Sequence, residues 1–297
     1  MLKRLSFLCA ALIALAACSH NGSDTTAPQP APAQTSAPAT SASAAKPAPA
    51  STAQAPATTS TAASASTAAV PTSASTATAT KQPSAPAEPF VDNGKWVEGK
   101  NYFTIEPQQP TGNPDKIVVT EVFSYACPAC NAFHTTVDQL EMSLPSNAVM
   151  TYLPASFRPD ENWPLFQRAY YAAKALGVVG KTHDAMFDAI WKTGELATYD
   201  LTTNRPKPQS AWPKIDDVAK FYAKYGVDPK QFVAVANSFS INTQMKRADD
   251  MMKAYGVDAT PTIVVNGKYR FTVGDAGGYP QSIELTKWLV AKEAAGK

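Results

Sequence analysis

Apolar positions along the chain follow two periods, and the places where the period changes mark the elements. Ile117-Val118-Val119-Thr120-Glu121-Val122-Phe123 is a nearly continuous β-branched run, the pattern of a central strand covered on both faces. Behind it Phe133, Val137, Leu140 and Leu144 recur at helical spacing and predict a helix with one buried stripe. Pro128 stands where a first-turn proline is tolerated. Val149–Leu153 reads as the next strand, so the unit is β-α-β with parallel strands. Upstream, Tyr102–Ile105 reads as a short strand. From Trp163 to Ser238 the pattern is helical, with Gly177, Gly194 and Gly226 in C-cap positions and a Pro-rich loop at Pro206, Pro208 and Pro213. A further helix carries Ile241, Met245, Ala248, Met252 and Tyr255 and ends at Gly256. Strand Thr262–Val265 follows, and Asn266-Gly267 predicts a type I′ hairpin into a strand over Lys268–Val273. A closing helix runs from about Gln281 to Lys292, with Leu285, Trp288 and Leu289 inward. The sum is an α/β sheet with a helical block, about residues 160–238, inserted between its halves.

Composition changes the picture at the N-terminus. Of the 66 residues from Asp24 to Pro89, all but nine are Ala, Ser, Thr or Pro, and none is aromatic. Such a stretch cannot bury enough apolar surface to offset chain entropy, so it is expected to remain disordered. As a flexible tether it would have an r.m.s. reach of roughly 45 Å. Before it, Lys3 and Arg4 precede an apolar run from Leu5 to Ala17, the order of a secretory signal. That run is too short to span a bilayer as a mature helix. Its end, Leu15-Ala16-Ala17-Cys18, resembles the lipobox of bacterial lipoproteins, in which the cysteine becomes the lipidated first residue. The plainer alternative is an ordinary signal peptide cut near Ala17. These readings divide the chain into a signal peptide (1–17), a lipidated N-terminus and linker (18–89) and a folded domain (90–297). Ser19, where inner-membrane retention often uses Asp, favours the outer membrane over the inner.

Charge excludes a class of partners. Residues 1–89 hold four of the 26 Lys and Arg and two of the 24 Asp and Glu, which leaves the folded part evenly balanced. A nucleic-acid binder would need a basic face, so no nucleic-acid partner is expected. Three His are too few for a multi-His metal site.

The folded part holds two cysteines, Cys127 and Cys130, in the run Cys127-Pro128-Ala129-Cys130. The run opens a helix directly after a buried strand. Free N–H groups and the helix dipole at that position favour an anion, so the Cys127 thiol is expected to ionise easily. Cys130, one turn deeper, can close a disulfide behind it and resolve a mixed disulfide. Three other readings compete. Half of a zinc knuckle would need a second ligand pair; His134 could serve as a third ligand, but its spacing places it on the exposed helix surface. A structural disulfide here would close a very small loop and stabilise little. Buried inert thiols would sit oddly in an exported chain. Redox catalysis accounts best for the spacing and the placement.

The segment Glu121-Val122-Phe123-Ser124-Tyr125-Ala126-Cys127-Pro128-Ala129-Cys130 resembles the active-site segment of DsbA-type thiol:disulfide interchange proteins. Thr260-Pro261-Thr262, followed by Val265-Asn266-Gly267-Lys268-Tyr269, resembles their cis-proline loop and the hairpin after it. The resemblance covers about residues 95–292 and implies a thioredoxin-like fold with an inserted helical domain. It implies that Cys127 is the exposed nucleophile and Cys130 its buried partner. It also implies a cis Pro261 facing the pair, and a Thr260 backbone that an extended substrate can join as an added strand. Pro128 and Ala129 would border the substrate. Glu121 would be the buried acid beneath the cysteines, affecting their proton transfers; its bland reading is a strand residue at a sheet edge. The tether and lipid anchor resemble the lipoprotein members of the family. One position departs: well-known members carry His between the proline and the second cysteine, where this chain has Ala129, which puts the strength of the oxidant in question.

The function these readings imply is a periplasmic, membrane-tethered oxidoreductase that introduces disulfides into exported cysteine-containing proteins. It would be reoxidised by a membrane quinone-linked partner of DsbB type, and a monomer is expected. No metal, nucleotide or flavin motif is evident, so the redox-active Cys127–Cys130 disulfide is the expected redox group, with no separate cofactor. The alternatives are a reductase or isomerase kept reduced by a membrane donor, and a non-catalytic tethered chaperone or binding module.

Overall fold

The computed structural model describes residues 89–297. The expected signal peptide, Cys18 and nearly all of the Ala/Pro/Ser/Thr-rich segment lie outside those residues. Among the described residues, β1 (Phe103–Thr104), β2 (Ile117–Phe123), α1 (Pro128–Ser143) and β3 (Ala148–Pro154) come first. The helices α2 (Trp163–Ala175) and α3 (Val179–Trp191) follow, then a two-strand ribbon of β4 (Tyr199–Asp200) and β5 (Arg205–Pro206). Next come α4 (Ile215–Ala223), α5 (Pro229–Ala236) and α6 (Phe239–Ala254). The chain closes with β6 (Thr262–Val265), β7 (Tyr269–Thr272), α7 (Val273–Ala276) and α8 (Tyr279–Ala294).

Five strands form one sheet in the order β1-β7-β6-β2-β3. β2 and β3 are parallel, as the β-α-β pattern predicts, with Glu121 opposite Tyr152. β6 runs antiparallel to β2, with Ile263 on the other side of Glu121. Glu121 therefore occupies a central strand, and the sheet-edge reading of this residue is wrong. Two cores flank the sheet. On one face Val119, Ile263 and Val265 meet the stripe Phe133, Val137, Leu140 of α1 and Leu285, Leu289 of α8. Val122 and Val264 belong to the other core, with residues of α2 to α6 such as Phe166, Ala219, Phe232 and Met252. At about 25 cal/mol per Å² of buried apolar area, these two layers supply the main driving force for folding.

Several details depart from the pattern reading. The Pro-rich loop contains the β4–β5 ribbon, held by Tyr199↔Pro206 and Asp200↔Arg205 pairing. The strand expected to reach Val273 stops at Thr272, which caps α7: its hydroxyl accepts from the Asp275 N–H and the Asp275 carboxylate accepts from the Thr272 N–H. Asn266 and Gly267 both have positive φ, 52° and 62°, as a type I′ turn demands. At Gly267 a side chain would also collide with the carbonyl of Gln109.

The chain joins the domain along α8. Phe90 packs on Trp288 at 5.2 Å, and the Trp288 indole N–H donates to the Val91 carbonyl at 3.0 Å. Trp96 lies in the same cleft as Pro145 and Asn147, just before β3. Since β2 and β3 both start at that level and Cys127 follows the far end of β2, the joint and the cysteines lie toward opposite ends of the sheet.

Candidate active site

β2 delivers its last residue, Phe123, to the top of the sheet, and four residues later the chain turns into α1. The turn is tied locally. The Cys127 N–H donates to the Ser124 carbonyl at 3.1 Å, and the Ala126 N–H donates to the Ser124 hydroxyl at 3.2 Å. It is also tied from outside: the Trp191 indole N–H on α3 donates to the Tyr125 carbonyl at 2.8 Å, and the Tyr125 hydroxyl lies 2.9 Å from His183 Nδ1. Burial holds His183 near pKa 4, so the ring is neutral there. The inserted helices thus fix the position of the segment that carries the first cysteine.

Cys127 is itself the N-cap of α1, with φ −85° and ψ 120°, and Pro128 opens the helix. A cysteine sulfur here does what a Ser or Asp oxygen does at other N-caps, accepting from the Cys130 N–H at 3.4 Å. Cys127 keeps 5% of its surface exposed and Cys130 none; the first cysteine is therefore the accessible one of the pair, though far less open than "exposed" implies. Both thiols are free. Pro128 and Ala129 are exposed beside them.

The electrostatics separate the two sulfurs. Cys127 is drawn down to about 6 from an ordinary 9.0, chiefly by the Cys130 thiol, with the Thr260 hydroxyl and the N–H groups of Cys130 and Ala129 adding to it and burial opposing. Cys130 is pushed far the other way, first by burial, then by its hydrogen bond to Cys127 and by the charges of Cys127 and Glu121. Near pH 7 the outer sulfur is mostly thiolate and the inner one is a thiol.

Thr260-Pro261 is a cis peptide, as the resemblance implies, and the Thr260 carbonyl lies 3.6 Å from Cys127 Sγ. Glu121 is 1% exposed, and neither carboxyl oxygen has a hydrogen-bond partner. Burial, then the charges of Cys127 and Asp138, raise its pKa to about 8. Glu121 is thus a protonated acid at neutral pH, beneath the cysteines.

His134 corrects another expectation. It is half-buried rather than exposed, stacked on Phe187 with ring centroids 4.9 Å apart and planes 16° apart. Among the described residues no three His, Cys, Asp or Glu side chains converge to hold a metal ion. Pattern reading missed Tyr125, His183 and Trp191 as supports of the site. Their contacts join β2 to α3 across about 60 residues, and no local period announces such a pairing.

An expected outcome follows for Ala129. A His at this exposed position would add a hydrogen bond or a positive charge to the Cys127 thiolate, which exists only in the reduced protein. Ala129→His should therefore lower the thiolate pKa below its present value and raise the reduction potential, with about 30 mV for each 1.4 kcal/mol. Thiolate absorbance against pH and the glutathione redox equilibrium measure both. If neither moves, the backbone N–H groups and the Cys130 thiol alone hold the charge.

Comparison with known proteins agrees with this geometry. The thioredoxin family model matches residues 106–276. The thiol:disulfide interchange protein DsbA of Pseudomonas aeruginosa is 35% identical over 201 residues, which is 67% of this chain and 87% of that protein. The DsbA of Azotobacter vinelandii is 32% identical over 200 residues, 67% of this chain and 85% of its own. Among solved structures, Pseudomonas aeruginosa DsbA superposes with a TM-score of 0.60 at 33% identity, covering 69% of this chain and 98% of its own. Xylella fastidiosa DsbA gives 0.59 at 32% identity, covering 67% and 98%. With a thiolate at the start of a helix, a cis proline beside it and this degree of likeness over the whole folded part, the chain belongs to the DsbA-type thiol:disulfide interchange proteins of thioredoxin-like fold and is a protein thiol:disulfide oxidoreductase.

Proposed function

We propose that this oxidoreductase works as an oxidase: it places disulfides in exported proteins while tethered by a lipid on Cys18 to the periplasmic side of a bacterial membrane. The observation that carries the direction of transfer is the unequal pair of sulfurs. A Cys127 thiolate stabilised at the helix start, with no equivalent in the disulfide, favours the reduced protein and so makes the disulfide an oxidant. In the oxidised protein a client thiolate attacks Cys127 Sγ, and the Cys127–Cys130 bond breaks with its electron pair going to Cys130. Glu121 supplies the proton that Cys130 takes up. A second client thiolate then attacks the client sulfur of the mixed disulfide and releases Cys127 as a stable thiolate. Thr260 and Pro261, beside Cys127, present a backbone edge on which an extended client can pair, and Pro128 and Ala129 form the exposed rim. Two electrons now rest on the protein, and a membrane quinone-linked partner of DsbB type would remove them. A monomer suffices, since every group in this scheme comes from one chain.

The redox state of the pair in cells tests the direction. Alkylation of acid-quenched samples should show Cys127 and Cys130 mostly oxidised; a mostly reduced pair would reverse the assignment to a reductase or isomerase fed by a membrane donor. The tether is tested separately. Cys18→Ser should abolish palmitate incorporation and release the protein to the soluble fraction, while exchange rates in vitro stay unchanged, because the chain joins the domain at the end of the sheet away from Cys127. Acylation that persists in this variant would overturn the lipoprotein reading.

A further inference from the structure

Glu121 lies in the layer between the sheet and α1, and its surroundings there are uneven. Its two side-by-side neighbours in the sheet are Ile263 on β6 and Tyr152 on β3. Ile263 is buried in the inner core. β3 is the last strand of the sheet, so within the sheet Tyr152 is the one residue between Glu121 and that edge, with His183 of α3 packed on its ring. Tyr152 is half-buried. Its ring is packed by His183 at 4.9 Å and by Phe123 at 6.0 Å. Its hydroxyl reaches the surface and donates to the Glu141 carboxylate of α1 at 3.1 Å. A bond from the edge strand to the overlying helix thus fastens the rim of the layer that holds an unpartnered acid.

We propose that Tyr152 is a positioning residue for the redox reaction, a stopper latched by Glu141 that keeps water away from Glu121 and so keeps this acid protonated when Cys130 needs its proton. The proposal deepens the proton-donor role given above to Glu121 and rests on it. Its physics is desolvation: a carboxyl in an apolar layer ionises only when water or a cation can reach it. The groups whose charge acts on Glu121 are acids, thiols and phenols, and the one imidazole packed on Tyr152, His183 of α3, is held neutral by burial. Asp138 and the cysteines come from the α1 side, Tyr152 from β3 and Tyr170 from α2. Exclusion of water is then what remains to hold the proton, and the half-buried ring of Tyr152, beside His183, is part of that exclusion. The hydroxyl matters less than the ring, because it only fastens the ring to α1.

The test uses the whole protein and two substitutions of graded severity. Tyr152→Ala removes the stopper; Tyr152→Phe keeps the ring and cuts the latch. The pH dependence of single-turnover exchange with a thiol peptide is followed, together with the infrared band of the protonated Glu121 carboxyl as pH is raised. Tyr152→Ala should move the Glu121 titration, seen in both readouts, down by at least about one pH unit toward the usual carboxylate range. Tyr152→Phe should move it less. A general loss of stability would alter rates without moving the titration, so the shift itself is the diagnostic. If the Glu121 band titrates at the same pH in Tyr152→Ala as in the parent, the stopper role is overturned. The background of Glu121→Gln separates the two layers of the argument. A parent whose exchange rate is insensitive to Glu121→Gln would defeat the proton-donor reading. A Glu121-dependent rate whose pH profile ignores Tyr152 would defeat only the stopper.

Discussion

Replacing Cys130 by serine should turn the protein into a trap for its clients, and replacing Cys127 should abolish exchange. Both outcomes follow from the inequality of the two sulfurs. Cys127 holds the stabilised thiolate and the residual exposure, so the mixed disulfide forms there. Cys130 is fully buried and strongly biased toward the thiol, so it does not form the mixed disulfide itself but resolves that bond from inside and donates to the Cys127 thiolate. Serine at 130 cannot attack a disulfide, yet it keeps a hydroxyl that can donate to Cys127. The thiolate should therefore survive in Cys130→Ser and accumulate covalent complexes, seen as ladders on non-reducing diagonal gels. Cys130→Ala removes that donor as well. A hydrogen bond to a charged group contributes about 1.5–3 kcal/mol, so the Cys127 pKa should rise by about one to two units relative to Cys130→Ser. Comparable ladders from Cys127→Ser and Cys130→Ser would contradict the order of the cysteines, and equal thiolate titrations in the Ser and Ala variants would show that Cys130 does not hold the charge.

Glu121→Gln should slow exchange near neutral pH and at the same time stabilise the fold. The sign of the second effect follows from proton linkage. Glu121 ionises near pH 8 in the folded protein against an ordinary value of 4.5. Between those values the folded state keeps a proton that the unfolded state has lost. Stability therefore falls as pH rises through this window, by about 1.4 kcal/mol per unit, and levels off above pH 8. At pH 7 the loss amounts to about 3 kcal/mol. Glutamine has nearly the shape of the protonated acid and is likewise neutral, so its pH-dependent gain over the parent is the ionisation cost alone. Urea unfolding of the reduced proteins should show Glu121→Gln more stable by about 3 kcal/mol at pH 7 and equal to the parent below pH 4.5. A stability difference that is independent of pH would place the cause in packing. The catalytic loss should appear in the pH–rate profile, because the proton donated to the departing Cys130 is gone.

Much of the architecture was legible in the sequence, for reasons that particular residues make clear. Ile117–Phe123 is a strand from end to end because an unbroken β-branched run suits only a pleated strand covered on both faces. Phe133, Val137 and Leu140 announced the buried face of α1, since their spacing can face one core only on a helix. The Thr272-x-x-Asp275 capping box that ends β7 was also present in the sequence; the strand pattern simply ran over it. β4 and β5 were not legible, because their two-residue strands lie in a proline-rich stretch that carries no apolar run of the kind that marked β1.

The sequence by itself determined where a reactive cysteine would stand. A cysteine followed by proline, after a β-branched run and before a helical stripe, must cap that helix, and the sulfur there meets free N–H groups whatever the rest of the chain does. It also marked Glu121 as an acid inside an apolar run. Only the tertiary structure decided what those residues become. The cis Thr260-Pro261 peptide comes beside Cys127 because β6 pairs with β2 across more than 130 residues. His183 and Trp191 steady Tyr125 because the inserted helices fold back on the end of β2. Glu121 changes from a strand residue into a buried, protonated acid because β3, β6 and α1 together remove the water around it. Local pattern sets backbone conformation and which face is apolar. The pKa of a buried group depends on how completely distant segments exclude solvent, and that quantity exists only once they are packed together.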